Sequence, residues 1–344
     1  MIPPRGDPMH LDAALHYDRL SEVPDLARAA EAMGFDGIWT HETRHDPFLP
    51  LALAAEHTRR IHLGTGVAIA FARSPTVIAY TAWDLAAMAP GRIFLGLGTQ
   101  VKAHIERRFG MIWDPPVPKL RETVEAIRAV WACWQNGERL NYRGRFFKLT
   151  LMSPFFNPGP IPDPRIPILL AGVNPPLARL AGEVGDGFFV HPFHTPRYLR
   201  EVLIPAIEAG ARKAGRRPEE ILRVGSVFVI TGRDEAEMQQ ARELVRAQVA
   251  FYGSTPSYRR VWALHGWEAI GEQLSALAAR GRWEEMPAQV PDEVLEAFAL
   301  TAPPEGVWER LKATYEGLLD RVILYQPFRL QDRELWERIL SGRR

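Results

Sequence analysis

The chain has 344 residues, room for one large domain or two ordinary ones, and its 47% hydrophobic and 24% charged content is that of a globular protein with a sizeable core. A formal net charge of +1 provides no field to draw it to nucleic acid or an anionic membrane, and a single cysteine, Cys133, excludes an intrachain disulfide framework and a cysteine-rich metal site. Met1 to Asp7 carries no long apolar stretch and no run of about 18 apolar residues occurs anywhere, so the expectation is a cytoplasmic protein with neither a secretory signal nor a membrane span.

In chain order, Leu11–Tyr17 can form a first strand. Helical spacing of Val23, Leu26, Ala27, Ala30 and Met33 predicts a helix over Glu22–Met33, capped by Ser21 and ended by Gly34. A strand over Asp36–Thr40 and a helix over Pro50–Thr58 follow, and a third strand starts at Ile61. Ser74 then caps a helix over Pro75–Met88, which leads to a strand over Arg92–Leu97. A long helix near Lys119–Gln135 carries Cys133 as a small buried hydrophobe. Leu140–Phe147 reads as a hairpin, and the proline-rich Met152–Pro167 as a loop. Strand Ile168–Ala171, helix Pro176–Glu183, strand Gly187–His191, helix Pro196–Ala214 and strand Val224–Thr231 continue the alternation. Helix Pro304–Leu318, strand Arg321–Tyr325 and helix Asp332–Leu340 complete it.

Eight strands alternating with helices suit an α/β fold of the (β/α)8 (TIM) barrel type, a single domain over 1–344 with its site at the carboxyl ends of the strands. The rival, an open doubly wound sheet, lacks its Gly-x-Gly-x-x-Gly turn after the first strand. About 241–296 is too long for a simple loop and reads as a mostly helical insertion over the mouth. Three apolar strands run into glycine, at Gly64-Thr65-Gly66-Val67, at Gly96-Leu97-Gly98-Thr99-Gln100 and at Ala171-Gly172-Val173-Asn174. Glycine there lets a ligand approach bare backbone, and the last of the three opens a helix whose N–H groups suit an anion. Thr99 and Gln100 can either cap a helix or bind a ligand's polar groups.

His41-Glu42-Thr43-Arg44-His45-Asp46 follows the second strand, where a barrel keeps its reactive groups. These residues suit a proton donor or acceptor, or a solvated loop in which Asp46 caps the next helix. His41 and His45, with His191 and His194 across the mouth, leave a metal reading open, although the first strand offers only His16.

Taken together, Ala29-Ala30-Glu31-Ala32-Met33-Gly34-Phe35-Asp36-Gly37-Ile38-Trp39, Leu63–Val67 with Arg73-Ser74-Pro75, Pro90–Gly98 and Ala181–Gly187 give the chain its closest pattern. It resembles the bacterial luciferase-like superfamily, and within it the oxidoreductases that use the deazaflavin coenzyme F420. The resemblance implies a barrel with F420, or alternatively FMN, across the strand ends, and a bulge on the third strand with a non-prolyl cis peptide at Gly66–Val67 or Thr65–Gly66. It places the cofactor ring at Thr65, Gly66, Val67, Gly98, Thr99 and Gln100, and its phosphate at Ala171, Gly172, Val173 and Asn174. Some relatives carry an Asp-His pair after strand two; this chain has Glu42-Thr43 there, which leaves Glu42 or His41, with His191, as the proton-transfer candidates. The implied function is hydride transfer between F420 and a small organic molecule. An FMN-dependent monooxygenase and a non-catalytic flavin- or ligand-binding barrel are the alternatives. A homodimer is expected by analogy.

Overall fold

The protein is described by a computed structural model over residues 9–343, so the Met1–Asp7 segment read above for a signal lies outside the described residues. Eight strands form the frame: β1 (His10–Leu15), β2 (Gly37–Thr40), β3 (His62–Thr65), β4 (Ile93–Gly98), β5 (Ile168–Gly172), β6 (Gly187–Val190), β7 (Leu222–Ile230) and β8 (Arg321–Phe328). Each pairs in parallel with the next, and β8 pairs with β1, so the sheet closes into a barrel. Both faces of these strands are covered, which is why β4 and β7 are buried at every position and read as continuous apolar runs.

The helices lie between the strands as the periodicity requires, with a few local differences. Ser21 does not cap the first helix; Leu20–Glu22 forms a 3-10 turn and the helix begins at Val23 without a side-chain cap. The Pro196–Ala214 segment is broken by a π turn at Leu199–Leu203, just before Pro205, which has no N–H for a regular helical bond. Ser74 accepts the Val77 N–H and caps the Pro75–Met88 helix as its sequence suggests. Between β7 and β8 come helices Glu235–Gly253, Arg259–His265, Glu268–Ala279 and Asp292–Phe298. They end in a short strand, Ala299–Thr301, that extends the sheet beside the end of β7. Among the described residues no helix is long and apolar enough to cross a membrane.

The barrel interior holds its own small core, Trp39, Phe94, Leu169, Phe189, Val224 and Ile323 among it, separate from the larger core under the helices. Beneath Trp39 lies a fully buried ion pair. Arg321, at the start of β8, gives Nε to Asp12 Oδ2 at 2.7 Å and Nη2 to Oδ1 at 2.6 Å. Trp39 Nε1 donates to the same Oδ2 at 2.7 Å. Three strands are thereby tied through one carboxylate. Removing one partner of such a pair leaves a charge in a dry interior. We expect Arg321→Met to lower unfolding free energy by about 3–5 kcal/mol in urea titrations, and Asp12→Asn combined with it to recover part of that loss. A single variant as stable as the parent would show the pair to be dispensable.

Candidate active site

The end of β3 departs from regular pairing. Gly64 pairs with Phe94, and pairing resumes at Ala68 opposite Leu97, so three residues, Thr65, Gly66 and Val67, oppose two. This is a β-bulge, with a cis peptide bond between Gly66 and Val67, the first of the two positions the resemblance offered. Thr65 substitutes for the interrupted ladder: its hydroxyl donates to the Gly96 carbonyl at 2.7 Å and accepts the Gly96 N–H at 2.9 Å. The bulged backbone presses on β4, where a Cβ on Gly96 would fall 2.0 Å from the Thr65 carbonyl oxygen and one on Gly98 would fall 2.8 Å from Val67 Cγ2. Those two glycines thus have a packing reason, close approach by the neighbouring strand, besides any contact with a ligand.

Glu42, expected among the proton-transfer candidates, is turned to the bulge. Its carboxylate accepts the Ile69 N–H at 2.6 Å and pairs with Arg73 Nη1 at 2.7 Å, with its side chain only 7% exposed. Arg73 also reaches Asp46 at 2.9 Å, and Asp46 accepts the N–H groups of Phe48 and Leu49 at the start of the Leu49–His57 helix. Glu42 thus clamps the strand beyond the bulge to the β2 loop. We expect Glu42→Ala to cost about 3 kcal/mol of stability, since Arg73 and the Ile69 N–H both lose their acceptor. A drop in activity with unchanged chemical unfolding would point instead to direct chemistry.

At the end of β4, Gln100 has φ of 58°, the one positive value outside glycine among the described residues. Its side-chain oxygen takes the Val101 N–H at 2.9 Å, and the Thr99 hydroxyl donates to the Gln100 carbonyl at 3.0 Å. Both polar side chains are therefore engaged in the turn into the Lys102–Arg107 helix. At the end of β5, the N–H groups of Val173 and Asn174 meet no acceptor among the described residues. Asn174 Nδ2 donates to the Ser257 carbonyl at 2.8 Å, while its Oδ1 is buried without a partner. The next helix opens with Pro175 and Pro176, which have no N–H, so Val173 and Asn174 hold the free donors of this turn.

Across the mouth a cavity of about 530 Å³ opens over the ends of β1, β2, β7 and β8. It exists because β8 also loses register: Asp12 pairs with Ile323 but Ala14 with Pro327, so β8 spends four steps where β1 takes two. The surplus brings Leu324, Tyr325 and Gln326 to the cavity wall. The facing wall is one stripe of the Glu235–Gly253 helix, Ala241, Leu244, Val245 and Gln248, at helical spacing. His41 lines this cavity, and neither ring nitrogen bonds to the protein among the described residues. Burial lowers its pKa to about 4, so the ring is a neutral imidazole at ordinary pH.

His191 stands apart. It is absent from the cavity wall, its Nδ1 accepts the Phe193 N–H at 3.1 Å, and its ring packs edge-on to Tyr252 with centroids 4.7 Å apart. Burial, helped by nearby His194, lowers its pKa to about 3. The three expected proton-transfer residues are therefore not brought together: one faces the cavity, one clamps the bulge and one packs among tyrosines. No group of three or more His, Cys, Asp or Glu side chains that could hold a metal occurs among the described residues. Sequence reasoning missed Tyr325, whose hydroxyl lies 2.5 Å from that of Tyr252, and Arg329. Tyr325 was read only as a strand residue; the signal that could have found the register shift is Pro327 two residues on, since a proline within a buried strand marks irregular pairing.

Comparison with known proteins adds to this geometry. The profile of a family described as luciferase-like monooxygenase matches residues 1–321. The chain belongs to this family. It is 44% identical over 306 residues to an uncharacterised protein of Mycobacterium tuberculosis (89% of this chain, 90% of the relative). It is 30% identical over 315 residues to the 5,10-methylenetetrahydromethanopterin reductase of Archaeoglobus fulgidus (89% and 90%). The solved F420-dependent tetrahydromethanopterin reductase of Methanopyrus kandleri superposes with a TM-score of 0.79 at 21% identity, over 97% of this chain and 98% of that one, which identifies the barrel. The luciferase-like family member described here is an oxidoreductase, in a group that contains both F420-dependent enzymes and monooxygenases.

Proposed function

We propose that the protein is an F420-dependent oxidoreductase that exchanges a hydride with a small organic substrate held in the cavity over β1, β2, β7 and β8. The observation that carries the reading is the donor set after β5. Two free backbone N–H groups, with the next two positions occupied by prolines, suit a singly charged phosphodiester such as that of F420. The terminal phosphate of FMN carries close to two charges and calls for more donors. Relatives at 30–35% identity named for methylenetetrahydromethanopterin reduction and for F420-dependent glucose-6-phosphate dehydrogenation support the same choice. The bulge at Thr65–Val67 offers an edge of backbone for a planar ring, held in place by Thr65 and Glu42.

When bound, the deazaflavin supplies a two-electron hydride donor or acceptor at C5. The chain orients the two partners, and His41 handles the proton that must leave or join the substrate's heteroatom as the hydride leaves or joins its carbon. Its uncharged ring can accept that proton without first losing one of its own. A second reading, an FMN-dependent monooxygenase, is favoured by the family's own description.

Fluorescence titration of the purified protein with F420, alongside FMN, separates the two. Saturable F420 binding with FMN at least about 10-fold weaker is expected, a gap of about 1.4 kcal/mol; tight binding of FMN alone would exclude the proposal. His41→Ala should lower kcat by about 100-fold or more. In the oxidative direction the rate should stay level from neutral pH downward and fall only as His41 gains its proton near its pKa of about 4. A break near the ordinary histidine value of 6.5, lost in His41→Ala, would overturn the assignment of a desolvated ring.

A further inference from the structure

The cavity has a charged corner that hydride transfer does not require. Arg329 lies just past β8 and lines the cavity together with His16, Arg44 and Asp332. It makes no ion pair among the described residues, and its Nε is shut away from solvent without an acceptor. Asp332 lines the same cavity, yet its only tie to Arg329 is its backbone N–H on the Arg329 carbonyl, at 3.1 Å. Arg44 leans outward, 67% exposed, with Asp18 at 3.8 Å. Arg44 thus has Asp18 as its partner, whereas Arg329, which lines the cavity beside it, has no carboxylate in an ion pair among the described residues.

One stretch of the wall is of opposite character. Leu15, Val229, Leu244, Val245 and Leu324 line it, with Leu244 reaching out into solvent at the open side. The buried Nε–H of Arg329 is a desolvated donor without an acceptor, which loses its hydrogen bond to water and gains none, so an anionic oxygen beside it would offset that cost. The planar fork of arginine matches the two oxygens of a carboxylate or the edge of a phosphate. His16, held below its ordinary pKa by burial and then by Arg329 and Arg44, stands beside it as a neutral ring able to give one further hydrogen bond.

We propose that the cavity takes an amphiphilic oxyanion, its hydrocarbon body against Leu244, Val245 and Leu324 and its carboxylate or phosphate end on Arg329. This rests on reading the cavity as the substrate chamber of the proposed oxidoreductase, and it narrows the substrate class to organic acids with an apolar body. Arg329 is then a specificity-determining residue, at the far end of the chamber's duties from His41: one fixes the charged end and the other serves the reacting end.

The test is calorimetric titration of the full-length protein with octanoate, octyl phosphate and octanol, repeated on Arg329→Leu and Arg329→Lys. At least one anion is expected to bind about 10-fold or more tightly than octanol. That preference should vanish in Arg329→Leu and survive in part in Arg329→Lys, with thermal melting and F420 titration unchanged in both. Whichever of octanoate and octyl phosphate binds more tightly identifies the oxyanion. Equal binding of anions and octanol to the parent, or a preference that persists in Arg329→Leu, would overturn the proposal. F420 titration on the same samples keeps the two readings apart: anion preference without F420 binding would sink the cofactor assignment and leave the oxyanion site standing. Should Arg329→Leu melt early, the comparison is read from Arg329→Lys, where a retained charge with a lost fork must still weaken the preference.

Discussion

A single carboxylate organises the inside of the barrel. Asp12 comes from the first strand, Trp39 from the second and Arg321 from the last, and all three meet in the dry space below the mouth. The pairing joins the two ends of the sheet, since β8 must lie beside β1 for Arg321 to reach Asp12. It also sets the height of the Trp39 ring, which fills the space where a Cβ on Gly64 would lie, 2.5 Å from the Trp39 Cζ3 atom. With β3 pressed onto that ring, its continuation is displaced toward β4, where the Thr65 hydroxyl and the small residues at 96 and 98 accommodate it. The bulged end of β3 thus rests on a tryptophan ring that the buried ion pair holds by a hydrogen bond.

The two irregular strands shape the mouth, with β1 and β2 lying between them in the closed sheet. The bulge of β3 presents backbone on one side; the register shift of β8 opens a chamber on the other. Glu42 links these halves indirectly. It follows β2, next to His41, but its charge is directed at Arg73 and the strand beyond the β3 bulge. Adjacent residues on one loop thereby serve opposite sides of the mouth, His41 the chamber and Glu42 the frame.

The barrel and the β3 bulge were legible in the sequence because each leaves a local mark. Buried parallel strands are short apolar runs between helical stretches, and close contact between strands demands glycine at fixed places. The β8 irregularity leaves a fainter mark: Arg321-Val322-Ile323-Leu324-Tyr325 is an ordinary strand pattern, and Pro327, just beyond it, is the one residue that signals broken pairing with β1. Residue type marked Glu42 as reactive, but its partner Arg73 lies 31 positions away, and only the folded chain shows the carboxylate to be occupied. Thr99 and Gln100, open to two readings, turn out to hold their own turn. Arg329 escaped notice for a simpler reason: an arginine is remarkable only when its partner is missing, and that is a property of the fold.

The stripe Ala241, Leu244, Val245 and Gln248 belongs to a helix that contributes nothing to closing the barrel. One wall of the chamber is therefore carried by a part of the chain that the closed sheet does not use, while the opposite wall is made by the strands themselves, so that one wall can drift between descendants without endangering the fold. The helix stripe is thus the part of the mouth most open to evolutionary change, while the bulged side, tied into the strands themselves, is not.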